Sequence, residues 1–258
     1  MDLITLPDLR SPGAVIDRLS ILLLKVSRSD RHISQIELDS LTASWEQAKL
    51  PEPDTIAGYR QVTIITSKLW DLENEVRECE QRQTFGTHFF SAMDRIISLN
   101  QQRAELRDHL TTQIRLHHGV TLIEVESGLD AYADRIALAL VAAKHRPRVG
   151  PDAAQALRTL WVDHGLPNIF DGELFHRLLL THNRMWRIWD SLKAGPSESG
   201  PDRTFGPVCR SLYIVNDARS RTKKQIAIDN GSAFWDVKSY TPYDIPASWD
   251  QISLTWRP

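Results

Sequence analysis

The chain reads as a series of apolar stripes at helical spacing, cut by proline and glycine. Ser11-Pro12 opens the first stripe: the serine can cap orphan amides, and a proline at the first helical position forfeits no internal bond. Val15, Ile16, Leu19, Leu22, Leu23 and Val26 then recur every three or four residues, which predicts a helix ending near Ser29-Asp30. Ile33, Ile36, Leu41 and Trp45 predict a second over about 31–49, stopped by Pro51-Glu52-Pro53. Ile65, Leu69, Leu72 and Val76 mark a third over about 54–83. Met93, Ile96, Ile97, Leu99, Leu106, Leu110 and Ile114 mark a fourth over about 87–116, closed by Gly119. Residues 1–10 read as an extended lead-in, and Val120–Val125 is either the one credible strand of the first half or just an extended connector.

The pattern then restarts. Helices are predicted over 129–146, 153–163, 173–192 and 208–229, with Pro147 and Pro151 bounding one linker and Gly195–Pro201 forming a break. Specific residues return with the pattern. Trp45 and Trp161, Trp70 and Trp186, Asn100 and Asn216, and Arg103 and Arg219 are each 116 positions apart, as are Leu50-Pro51 and Leu166-Pro167. Asp17-Arg18 returns as Asp134-Arg135 at 117, which a one-residue slip in a loop allows; Thr84-Phe85-Gly86 returns as Thr204-Phe205-Gly206 at 120, an offset that leaves coincidence open. Self-similarity at a fixed offset signals a repeated architecture. The expected fold is therefore all-α: one compact unit over 1–258, with two tandem pseudo-symmetric helical repeats (11–116 and 128–230) packed together. An aromatic-rich tail (231–258) carries Phe234, Trp235, Tyr240, Tyr243, Trp249 and Trp256, which suits docking on the body better than disorder; strands within it stay open.

Composition narrows the functional classes. Net charge is −2 with no dominant basic block, which argues against a nucleic-acid surface. Two cysteines, Cys79 and Cys209, make no disulfide framework and have no metal-ligand spacing. With no apolar run long enough to span a membrane and no basic leader, the expected location is the cytoplasm. Nucleotide-binding glycine loops, the nucleophile elbow Gly-x-Ser-x-Gly and the zinc signature His-Glu-x-x-His are all missing.

The remaining chemistry lies in polar stripes on the repeated helices. Trp70, Glu73 and Arg77 share one face, and Asn100, Arg103 and Arg107 share another. Their later counterparts are Trp186, Trp189 and Lys193, and Asn216, Arg219 and Lys223, with Asp190 and Asp217 standing beside them. One reading is a ligand site: Arg77, Arg103 and Arg219 take an anionic group, Glu73, Asn100, Asn216, Asp190 and Asp217 bond hydroxyls, and Trp70 or Trp186 stacks on a sugar or base. The other is a half-buried network that fixes one helix against its neighbour. Glu173-Leu174-Phe175-His176 has the Glu-x-x-His spacing of di-iron bundles, with His182 following and Glu105/His109 on the fourth helix. The first half lacks a counterpart, so neither metal nor cofactor is expected.

Two pairs of stretches resemble known families. Ser11–Leu22, with Arg210–Arg219, resembles a family of small bacterial helical domains of unknown function. Leu69-Trp70-Asp71-Leu72-Glu73, with Ile97–Arg103, is similar to a related uncharacterised family often encoded beside glycosyltransferases in lipopolysaccharide gene clusters. The resemblance implies context, with no catalytic residues to carry over. The expectation is an accessory or ligand-binding protein of a glycan or other specialised pathway, taking a sugar phosphate or nucleotide sugar, or assisting a glycosyltransferase. An enzyme using the polar faces or a Glu173/His176 metal site, and an interaction scaffold without ligand, remain alternatives.

Overall fold

The computed structural model describes residues 4–28, 31–146, 151–193, 205–235 and 241–245. These residues form an all-α protein with one small sheet. The chain divides into two compact units, one built on Pro7–Ser127 and the other on Gly128–Asp236.

In the first unit α1 (Pro12–Arg28) lies against α2 (Arg31–Gln47), α3 (Tyr59–Arg82) and α4 (Thr87–His118). Val15, Ile16, Leu19 and Leu22 form the buried stripe of α1, and they meet Leu38, Leu41 and Trp45 of α2, Val62 of α3, and Leu110 and Ile114 of α4. Each such apolar side chain removed from water stabilises the fold by about 1.5–3 kcal/mol before entropy is counted. The strand β1 (Leu6–Arg10) pairs with β2 (Ile123–Ser127). In β2, Ile123, Val125 and Ser127 are buried while Glu124 and Glu126 face water, the period-two alternation of a half-buried strand.

The second unit is built on α5 (Leu129–His145), which packs against α6 (Pro151–Asp163), α7 (Glu173–Lys193) and α8 (Phe205–Asp229). Leu129, Tyr132, Ala133, Ile136, Trp161, Phe175, Leu178 and Ile226 lie in its core.

Three expectations shift. The third helix starts at Tyr59, not near 54, because Gly58 takes a left-handed φ of 98° after a 3-10 turn at Pro53–Thr55. The strand after the fourth helix is 123–127 instead of 120–125, following the alternation of Ile123-Glu124-Val125-Glu126. The extended lead-in ends in a paired strand, with Asp8 buried and accepting from Arg10 and from the Ser127 hydroxyl. In the tail, Phe234 is buried, and Thr241 donates its backbone amide to Asn74 on α3. Tyr240, Trp249, Trp256 and the Gly195–Pro201 break lie outside the described residues, as does Thr204. No helix among the described residues is long and apolar enough to cross a membrane.

One contact recurs at the repeat offset in each unit. The Trp45 indole donates to the Pro51 carbonyl at 2.9 Å, and the Trp161 indole donates to the Pro167 carbonyl at 2.8 Å. Each tryptophan pins the chain leaving its helix. Trp45→Phe and Trp161→Phe should each lower stability by about 1–2 kcal/mol, the sum of a net hydrogen bond and a small packing loss. Urea unfolding checks this, and losses that differ by more than about 1 kcal/mol would mean that the two indoles do different work.

Candidate functional site

The polar stripes become ion pairs between helices. Asp17 on α1 is buried beneath α4, and Arg103 grips its carboxylate with both Nε and Nη2, the latter at 2.8 Å. A bidentate guanidinium–carboxylate fork is among the strongest polar contacts a protein makes. Beside it the hydroxyls of Ser20 and Thr66 share a hydrogen bond at 3.0 Å, joining α1 to α3. Glu73 and Arg77 meet within α3 as an i,i+4 pair, and the Arg77 side chain is almost completely buried. Asn100 donates to the Ile96 carbonyl one turn back on its own helix, and Trp70 is buried. The stripe residues are thus placed as the spacing requires, but Arg103 is already holding a carboxylate.

The second unit repeats this lock and enlarges it. Arg219 on α8 grips Asp134 on α5 with Nε at 2.8 Å and with Nη2. His182 on α7 bonds the same carboxylate at 2.8 Å, and Lys223 stands 3.7 Å from it and 3.6 Å from Asp130. Asn216 accepts from Arg219 at 3.2 Å. Burial alone would raise the Asp134 pKa. The charge of Lys223, the hydrogen bond and charge of Arg219, and the bond from His182 overcome it and hold the carboxyl well below the ordinary aspartate value. Asp134 is therefore an ionised carboxylate clamped among three helices.

The units differ where α1 and α5 approach their long partners. Position 13 is glycine, and 117 residues on the chain has Asp130. A Cβ at Gly13 would lie 2.0 Å from the Arg107 carbonyl oxygen and 2.5 Å from the Thr111 hydroxyl, so the backbones of α1 and α4 touch there. Gly13→Ala should cost about 2–3 kcal/mol, since a backbone carbonyl must move; thermal unfolding of that variant is the check. Lacking a carboxylate at position 13, Arg107 has among the described residues only its own neighbour Asp108, at 3.8 Å and partly exposed, where Lys223 has Asp130.

The remaining predicted residues are dispersed. Trp186 is half-buried, its ring stacked on His145 at 5.1 Å and 8°, with the Arg146 guanidinium 5.4 Å from its centroid. Asp190 is exposed and Asp217 is buried. Trp189, at the position matching Glu73, replaces the acid of the α3 pair. Glu173 and His176 are both exposed, with His176 Nδ1 3.0 Å from the Gly172 carbonyl, while His182 faces Asp134. Glu105 and His109 are exposed on α4. No group of three or more metal-ligating side chains forms among the described residues.

Sequence reasoning missed a cavity of about 500 Å³ in the first unit. It lies between the second half of α1, the outer face of α2, the 3-10 turn and the start of α3. Its floor is Leu19, Leu38 and Trp45, with Leu23 at the mouth, and its rim carries Asp39, Glu46, Glu52 and Asp54. Tyr59 closes one end; burial foremost, and then the charge of Asp54, push its phenol up. The volume lies in the range of small-molecule sites. No protein-family model matches this chain, and no curated protein or solved structure does either.

Proposed function

We propose that this chain works by binding rather than by bond-making chemistry, as an accessory or ligand-binding protein whose small-molecule site is the cavity of the first unit. The observation that carries this reading is the contrast between the two kinds of polar residue. Arg103 and Arg219, the strongest candidates on the stripes, spend their guanidinium groups on Asp17 and Asp134, whereas a cavity of ligand size lies beside α2. An anionic sugar phosphate at the stripes would have to displace a bidentate carboxylate. The Cys79 thiol is pushed up, chiefly by burial, which keeps it a poor nucleophile. A glycan or other specialised biosynthetic pathway, with a glycosyltransferase as partner, is the context that the resemblance of Leu69–Glu73 and Ile97–Arg103 supplies.

The matching Trp–Pro bonds and Asp–Arg locks at offsets of 116 and 117 support descent of the two units from one duplicated bundle. On this reading one copy keeps the ligand site and the other is structural. A thermal-shift panel of nucleotide sugars, sugar phosphates, organic amines and divalent metals tests the proposal. A ligand at a hundred times its dissociation constant should add about 2.7 kcal/mol of stability. That gain should vanish when Leu23→Arg blocks the cavity mouth. Turnover of a panel member followed by NMR, or a gain that survives Leu23→Arg, would overturn it.

A further inference from the structure

The charge of the cavity is one-sided. Its rim holds Asp39, Glu46, Glu52 and Asp54, and no lysine or arginine among the described residues lines it. Asp39 accepts from the Gln35 amide at 2.7 Å, while Glu46, Glu52 and Asp54 carry no ion pair among the described residues. Below them Leu19, Leu38 and Trp45 are buried, and Leu23 keeps 45% of its surface in water at the mouth. An apolar floor under a ring of carboxylates suits an amphiphile whose polar end is positive.

The second unit supplies an internal comparison, anchored by the Trp45/Trp161 and Pro51/Pro167 matches. At an offset of 116, Asp39, Glu46, Glu52 and Asp54 correspond to Gln155, Val162, Asn168 and Phe170, so all four charges are gone together. Thr42 corresponds to Arg158, whose guanidinium lies 4.6 Å from the Phe170 centroid. Phe170 in turn packs edge-on against Trp161 at 6.1 Å and Phe175 at 5.2 Å. The second unit thus carries a ring and a cation on a hydrocarbon stem at the matching positions. The first unit leaves space and carboxylates instead.

We propose that the cavity between α1, α2 and the 3-10 turn binds an organic cation with an apolar body, an alkylammonium or alkylguanidinium, its charge among the rim carboxylates and its hydrocarbon on Leu19, Leu23 and Leu38. This rests on the reading of the cavity as the ligand site and names the chemical class of that ligand. A neutral alcohol of the same length gains only the floor, and a carboxylate is repelled by the rim.

Calorimetric titration of the full chain with octylammonium, octanol and octanoate separates these terms. Octylammonium should bind at least about ten-fold more tightly than octanol, a difference of about 1.4 kcal/mol. Raising the salt should narrow the gap, because the rim is solvent-facing. Octanoate should bind more weakly than octanol. The variant Glu46→Gln/Glu52→Gln/Asp54→Asn changes only exposed positions and leaves Asp39 as the one rim carboxylate; it should cut most of the preference for ammonium yet keep octanol binding. Transplanting the second unit's pair, Thr42→Arg with Asp54→Phe, should abolish binding of both while urea unfolding stays unchanged. Octanol binding as tightly as octylammonium would overturn the cation assignment and leave the cavity as a ligand site. Failure of all three probes to bind would overturn both.

Discussion

Asp134→Ala should destabilise the chain by about 3–5 kcal/mol, because it leaves Arg219, Lys223 and His182 facing one another without their shared carboxylate. The lock spans α5, α7 and α8, so the loss falls on three helices at once. Asp134→Asn, which keeps the shape and some hydrogen bonding, should recover only part of it, since the charge is what the three cationic or donor groups require. Urea unfolding at neutral pH reads both variants. A loss below about 1 kcal/mol for the alanine variant would mean that water or a rearranged partner takes over the carboxylate's place.

The same residue sets an acid limb. Its folded pKa lies well below the ordinary aspartate value, and an unfolded aspartate titrates near 3.9. The folded state therefore binds a proton less readily than the unfolded one. The stabilisation is fully present above the unfolded value and is lost as pH falls from there through the folded value. Urea midpoints of the wild type should drop through that window more steeply than those of Asp134→Ala. Parallel acid limbs would show that other carboxylates carry the effect.

How much of this was readable beforehand differs from element to element. Helix positions follow from local physics: the stripe Val15, Ile16, Leu19, Leu22 behind Ser11-Pro12 fixes α1, and Gly119 with φ 71° closes α4. The late start of α3 was not legible, because nothing in Asp54–Ala57 forbids a helix until Gly58 adopts its left-handed turn. The strand β1 was missed for another reason. Leu6-Pro7-Asp8-Leu9-Arg10 buries an aspartate and exposes a leucine, the reverse of an apolar alternation, and the Arg10–Asp8–Ser127 contacts make that tolerable. The stripes on α3, α4, α7 and α8 were visible as spacing. Their partners Asp17 and Asp134 were visible only as repeat markers, since an aspartate inside an apolar stripe does not announce which arginine it will meet. The cavity was the least legible feature. Its acids are spread over α2 and a 3-10 turn, each looking like an ordinary solvated position, and only the fold brings them round one apolar floor.

Arg103→Ala and Arg219→Ala should not cost the same, although the two locks look alike. Arg103 and Arg219 are 23% and 24% exposed, and their carboxylates Asp17 and Asp134 are 12% and 11% exposed, so burial does not distinguish them. The second cations do. Once Arg219 is removed, Asp134 keeps the His182 bond at 2.8 Å and Lys223 at 3.7 Å. Once Arg103 is removed, Asp17 has no other cation among the described residues: its neighbours Ser20 and Thr66 are neutral, and no ion pair to Asp17 remains. A buried charge left without its partner costs about 3–5 kcal/mol, and partial exposure puts Arg103→Ala near 3; Arg219→Ala should cost about 1–2. Adding Asp17→Ala to Arg103→Ala should return part of the loss, because the stranded charge goes with it, and that double-mutant cycle isolates the pair from the packing of the arginine stem. If instead these arginines served an anionic ligand, both single variants would abolish binding of a sugar phosphate in the thermal-shift panel and lose little stability without it. Unequal losses in unliganded protein, with any ligand response unchanged, are the expected result. They would identify the paired arginines as the locks that hold α4 to α1 and α8 to α5.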